Sequence, residues 1–140
     1  MIYIGSDHAG FRLKNKLIEV LARKKQHFID LGCFSEEPVD YPDIAKKVAV
    51  KSRQPFSKGV LVCGTGIGMC MAANRIKGVR AAQCYDSFTA RMSREHNDAN
   101  VLCLRSRNFN PGNAVKILNI FLTTKFSGAA RHKRRIRKMG

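Results

Sequence analysis

The chain has 140 residues, 44% of them hydrophobic, and carries 26 Lys and Arg against 10 Asp and Glu, a formal net charge of +16. That length fits one compact domain spanning residues 1–140, and the apolar share excludes global disorder. No apolar run approaches the roughly 20 residues that span a bilayer, the first residues lack a secretory leader's pattern, and the charge points to anionic partners.

Met1 to Ser6 reads as a buried strand that ends in the polar cluster Ser6-Asp7-His8. Leu13, Leu17, Val20 and Leu21 then recur at helical spacing with charges between them. His27 to Leu31 is a short second strand closed by Gly32, and Ile44, Ala45, Val48 and Ala49 mark one face of a second helix. Val60-Leu61-Val62-Cys63 is a strongly β-prone run that stops at Gly64-Thr65-Gly66-Ile67-Gly68. A helix through Ala72, Ala73 and Ile76 should follow, ending near Gly78, and Val79 to Cys84 is the fourth strand. Asp86 or Ser87 suits the N-cap of the helix that carries Phe88 and Met92. Val101 to Leu104 is the fifth strand, and Asn110-Pro111 opens another helix with an N-cap followed by proline at the first position. A basic helical tail is expected at about 124–140. Strands alternating with helices imply βαβ units, so the expected fold is α/β, a single-domain, doubly wound, Rossmann-like sheet of five parallel strands flanked by helices.

Ligands of such sheets bind at the carboxyl ends of the strands, where strand order reverses. Ser6-Asp7-His8, Cys63 to Gly68 and Asp86 fall at such ends, and His96-Asn97-Asp98 lies just before the fifth strand. His8 and His96 are both projected to the sheet edge that carries the glycine loop, where an imidazole can exchange protons with a hydroxyl. Glycines at 64, 66 and 68 allow successive N–H groups to converge, with a helix N-terminus behind them, on a phosphate or a developing oxyanion. The dinucleotide fingerprint fails because residue 69 is Met, no Gly-Lys-Ser/Thr completes a P-loop, and a cysteine phosphatase would need an arginine at that same position.

Cys63 therefore has two open readings: a thiol activated at a helix N-terminus, or the last core residue of its strand, as Cys84 and Cys103 are of theirs. The five cysteines are odd in number and form no C-x-x-C pair, which fits reduced thiols in a cytoplasm. No His, Cys and carboxylate spacing suggests a metal site. In a helical tail, Arg131 and Arg135 are i, i+4 neighbours whose paired guanidinium groups suit a phosphate monoester. The alternative is a nucleic-acid arm, against which the chain has no Trp and the tail has no interleaved aromatic residues.

Taken together, Gly5-Ser6-Asp7-His8-Ala9-Gly10-Phe11, Asp40-Tyr41-Pro42, Cys63 to Gly68, Ala72 to Arg75, Gly78 to Ala81, Arg94 to Val101 and Arg131-His132 resemble the ribose-5-phosphate isomerase B family. That family also includes galactose-6-phosphate and allose-6-phosphate isomerases. The resemblance implies interconversion of ribose 5-phosphate and ribulose 5-phosphate, a step of the pentose phosphate pathway, through a cis-enediolate without metal or organic cofactor. It implies that Cys63 is the base between C1 and C2, that Gly64, Gly66, Ile67 and Gly68 hold the enediolate charge through their N–H groups, and that Thr65 shuttles protons. His96 would open the furanose ring with help from Asp7. His8, Arg107, Arg131 and Arg135 would bind the phosphate, and Asn97 would hydrogen-bond the sugar or the enediolate. Some members use a glutamate just after the glycine loop; Met69 stands there, so this chain resembles the cysteine type. The resemblance further implies a homodimer, or a tetramer, with shared active sites. The His-Asn-Asp segment favours a pentose over galactose 6-phosphate, while allose 6-phosphate stays an alternative.

Overall fold

A computed structural model describes all of residues 1–140. Five strands, β1 (Ile2–Ser6), β2 (Phe28–Asp30), β3 (Lys58–Cys63), β4 (Ala81–Gln83) and β5 (Val101–Arg105), pair in parallel in the order β2-β1-β3-β5-β4. The helices are α1 (Phe11–Arg23), α2 (Tyr41–Ser52), α3 (Ile67–Asn74), α4 (Ser87–Glu95), α5 (Pro111–Thr123) and α6 (Ala130–Met139). The five-stranded, doubly wound α/β fold expected from the alternating pattern is the one observed.

Side chains of a strand alternate between faces, and two cores result. Ile4, Val60, Val62, Leu102 and Leu104 meet Leu17 and Leu21 of α1, Ala90 of α4 and Phe121 of α5. Tyr3, Leu61, Cys63, Val101 and Cys103 meet Val48 and Ala49 of α2 and Met69 and Ala73 of α3. Strand order reverses between β1 and β3, so the chain leaving β1 and the glycine loop leaving β3 share the crevice there. Gly10 makes that approach possible: a Cβ at this position would lie 2.3 Å from the carbonyl oxygen of Val62.

Local chemistry explains several boundaries. Asp86 caps α4 in a reciprocal box with Thr89, and the Asn110 side chain accepts from Gly112 N at the start of α5. Three limits differ from the sequence expectation. α3 stops at Asn74 and not near Gly78, because the Asn74 amide leaves the helix to bond both the N–H and the C=O of Ala81 on edge strand β4. β4 is correspondingly short, with Val79 and Arg80 lying outside it. The tail is helical only from Ala130: residues 124–129 form an irregular connection, with Thr124 and Ala129 extended and Gly128 at φ +67.

One core residue runs against the pattern of charges between apolar positions. Lys14 of α1 is fully buried, its ammonium held by both Asp30 oxygens (2.8 and 2.7 Å) and by the carbonyl of Cys33. Its hydrogen bonds satisfy a charge that burial would otherwise expel. No helix is long and apolar enough to cross a membrane.

Candidate active site

Cys63 ends β3 and points with Leu61 toward α2 and α3. Its thiol is only 4% exposed, and Sγ accepts the Gly66 N–H at 3.1 Å. Gly66 is the N-cap of α3 at φ +79, a left-handed conformation suited to glycine, and a Cβ there would press on Leu104 and Gln83 at 3.1 Å. The sulfur thus faces the Gly66 N–H at the N-terminus of α3. Thr65 is exposed, and its Oγ1 accepts the Ile67 N–H at 3.2 Å, leaving the hydroxyl proton free to donate.

Around this loop the strand ends converge. The Asp7 N–H donates to Val62 O, one residue before Cys63, while Asp7 Oδ1 accepts the Gly10 N–H at 2.9 Å. His8 Nδ1 accepts the Val39 N–H at 3.2 Å, which leaves Nε2 as the ring's free nitrogen. Arg107 N donates to Gly64 O, and its guanidinium packs against Gly64. Gly64, Thr65, Ile67 and Arg107 line a cavity of about 560 Å³ together with Gln83, Tyr85 and Arg105, three residues the sequence motifs do not single out. Only their position at the carboxyl ends of β4 and β5 marks them.

The remaining predicted residues form a second cluster elsewhere. α4 runs antiparallel to the strands and delivers His96 and Asn97 to the amino end of β5, whereas Cys63 pairs with Arg105 at the carboxyl end. The expectation that His96 shares the glycine loop's sheet edge is therefore corrected: within one chain it lies at the opposite end. Its turn is rigid. Arg80 donates to Asn97 O (2.9 Å) and Asp98 O (2.8 Å), and the nearly buried Arg94 donates to Asp98 Oδ1 (2.7 Å) and Ala99 O (2.6 Å). His96 and Asn97 project from it, exposed.

α6 packs beside this turn. The His96 and His132 rings lie 4.3 Å apart, and His132 Nδ1 pairs with Ser127 Oγ at 2.7 Å. Burial, and then the charges of His96, Arg131 and Arg135, hold the His132 imidazole below its usual value. His132 and Ile136 face inward, while Arg131, Lys133, Arg134, Arg135, Arg137 and Lys138 form an exposed cationic arc that no ion pair neutralises. A cleft of about 700 Å³ separates α6 from Arg80 and Ala81 and does not reach the glycine loop.

The other thiols behave differently from one another. Contact with Cys103 is the main influence that brings the half-buried Cys70 thiol down to about 7, while burial pushes Cys84 up to about 11. Cys103, fully buried, is raised well above its usual value, chiefly by Cys70. No three His, Cys, Asp or Glu side chains cluster as metal ligands.

The parallel α/β sheet thus sets a thiol under a glycine nest beside its switch point. The ribose/galactose isomerase family model matches residues 2–139, and the chain belongs to that family. It is 48% identical over 140 residues to a probable ribose-5-phosphate isomerase B of Mycoplasma pneumoniae, covering 99% of this chain and 91% of that one. The structure of Clostridium thermocellum ribose-5-phosphate isomerase B superposes with a TM-score of 0.96 at 44% identity, covering 99% and 94% of the two chains. That of the Mycoplasma genitalium enzyme with bound ribulose-5-phosphate gives 0.94 at 45% identity, covering 99% and 92%.

Proposed function

We propose that this enzyme interconverts ribose 5-phosphate and ribulose 5-phosphate, with Cys63 as the base, in a site completed by a second copy of the chain. The observation that carries the reading is the Cys63 sulfur held at 3.1 Å from the Gly66 N–H beneath the glycine nest. The relatives named as ribose-5-phosphate isomerases, one of them holding ribulose 5-phosphate, support the pentose as substrate.

In the direction of the ketose, the Cys63 thiolate takes the proton from C2, and the electron pair moves into a cis-enediolate. The oxyanion charge is met by the N–H groups of residues 64–68, of which that of Gly66 rests on the Cys63 sulfur and that of Ile67 on Thr65 Oγ1 until the charge develops. The Thr65 hydroxyl passes a proton between O1 and O2, and the Cys63 thiol returns its proton to C1. His8, through Nε2, and Arg107 bind the phosphate from the same chain. His96 opens the furanose ring with Asp7 assisting, Asn97 holds the sugar, and Arg131 and Arg135 complete the phosphate grip. The second copy supplies His96, Asn97, Arg131 and Arg135, because a proton transfer needs contact of roughly 3 Å and the two clusters lie at opposite ends of one sheet. The five free cysteines fit a reducing, cytoplasmic setting.

Ketose formation from ribose 5-phosphate and from allose 6-phosphate, measured side by side, tests the substrate. Faster turnover of the hexose phosphate overturns the pentose reading. Cys63→Ala should fold normally and lose about 10²–10⁴-fold in kcat, the usual share of a general base. Normal turnover in that variant removes Cys63 from the chemistry.

A further inference from the structure

The Gly66 N–H that meets Cys63 belongs to the same peptide unit as the carbonyl of Thr65, and that carbonyl is also held. Gln83, the last residue of edge strand β4, donates its side-chain Nε2 to Thr65 O at 2.6 Å. A peptide unit is planar, so fixing its oxygen fixes the direction of its N–H. The unit needs an anchor on its Thr65 side, because Gly66 has the widest backbone freedom of any residue and the first bond of α3, from the Cys70 N–H, holds only the Gly66 carbonyl beyond it. The neighbouring bonds serve other atoms: the Ile67 N–H goes to Thr65 Oγ1, Gly64 O accepts from Arg107, and Cys63 O accepts from Ser106. Gln83 is the group that holds Thr65 O.

We infer that Gln83 is a positioning residue for the reaction: by gripping Thr65 O it turns the Thr65–Gly66 peptide so that its N–H points at the Cys63 sulfur. A donor on a carbonyl oxygen also polarises the peptide and strengthens the N–H on its far side. Gln83, Thr65, Gly66 and Cys63 therefore form one relay, running from the edge of the sheet to the reactive sulfur. Its effect on turnover rests on Cys63 being the base. Its effect on the sulfur does not, since thiolate reactivity is measured without substrate.

Gln83→Leu and Gln83→Met keep much of the side chain's volume and remove the donor. In the full chain, Cys63 should react with iodoacetamide about fivefold more slowly than in the wild type at pH 7.5, followed on the Cys63 peptide by mass spectrometry, as expected for the loss of one ordinary hydrogen bond. The kcat for ribose 5-phosphate should fall by a similar factor, with KM changed less than twofold. An unchanged alkylation rate in both variants overturns the inference, and so does a rise in KM at constant kcat. Amide exchange of Gly66 in the wild type gives a check that needs no variant: exchange as fast as in an open loop also overturns it. If slowed alkylation accompanies full activity in Cys63→Ala, the relay stands and the assignment of the base falls.

Discussion

Two variants that are each nearly inactive should restore turnover when combined in one dimer. One chain carries Cys63→Ala; the other carries His96→Ala and Arg131→Ala. β5 alone spans five residues from the His96 turn to Arg105, the partner of Cys63, and at about 3.3 Å per residue this separates the clusters by at least roughly 13 Å. Chemistry on one sugar tolerates no such gap, so the proposed mechanism requires each site to draw its two halves from different chains. In a two-fold dimer the mixed species has one site with both halves intact and one with neither. Random pairing from equal amounts makes about half the dimers mixed, so the pool should recover about a quarter of wild-type kcat. Each variant alone should retain a small fraction, since loss of the base costs about 10²–10⁴-fold. The assay is co-refolding at equal concentrations, followed by ketose formation from ribose 5-phosphate. A pool no more active than the sum of its parents refutes the shared site.

Three further outcomes follow from groups outside the reaction. Asp30→Ala leaves the fully buried Lys14 ammonium facing one carbonyl, a loss of about 3 kcal/mol that thermal unfolding should record as a melting temperature lower by roughly 10 °C. His132 is held below its usual 6.5, so the unfolded chain binds that proton more readily; stability should be intact above pH 6.5 and fall as the pH drops through the folded value, and denaturant titrations of His132→Gln should lack that slope. Cys70, at about 7, should be alkylated at pH 8 well before Cys84, at about 11; peptide mass spectrometry that finds Cys84 labelled first contradicts the assigned environments.

The buried strands were legible because three of them are short apolar runs closed by polar or glycine residues, and the caps Asp86 and Asn110 were legible because each satisfies its own helix locally. The end of α3 was not. Ile76 and Val79 prolong an apolar pattern, while the stop depends on Asn74 reaching an edge strand several residues ahead. The Cys63 loop was visible as a motif, whereas Gln83 looks like any polar residue until the sheet sets it beside Thr65. His96 is the instructive case. A residue just before a strand in a parallel sheet belongs to the amino end, so the order of elements already separated it from Cys63, although motif adjacency suggested otherwise. The burial of Lys14 had no sequence signal, since its partner Asp30 sits on another element.

The unneutralised arc on α6 makes ionic strength a two-sided variable. In the proposed shared site two copies meet, each with a formal charge of +16, so in dilute buffer they repel, and added salt eases assembly by screening. The same salt weakens the field that draws in a dianionic sugar phosphate. The enzyme should therefore work best at intermediate ionic strength, limited by assembly below it and by capture above it.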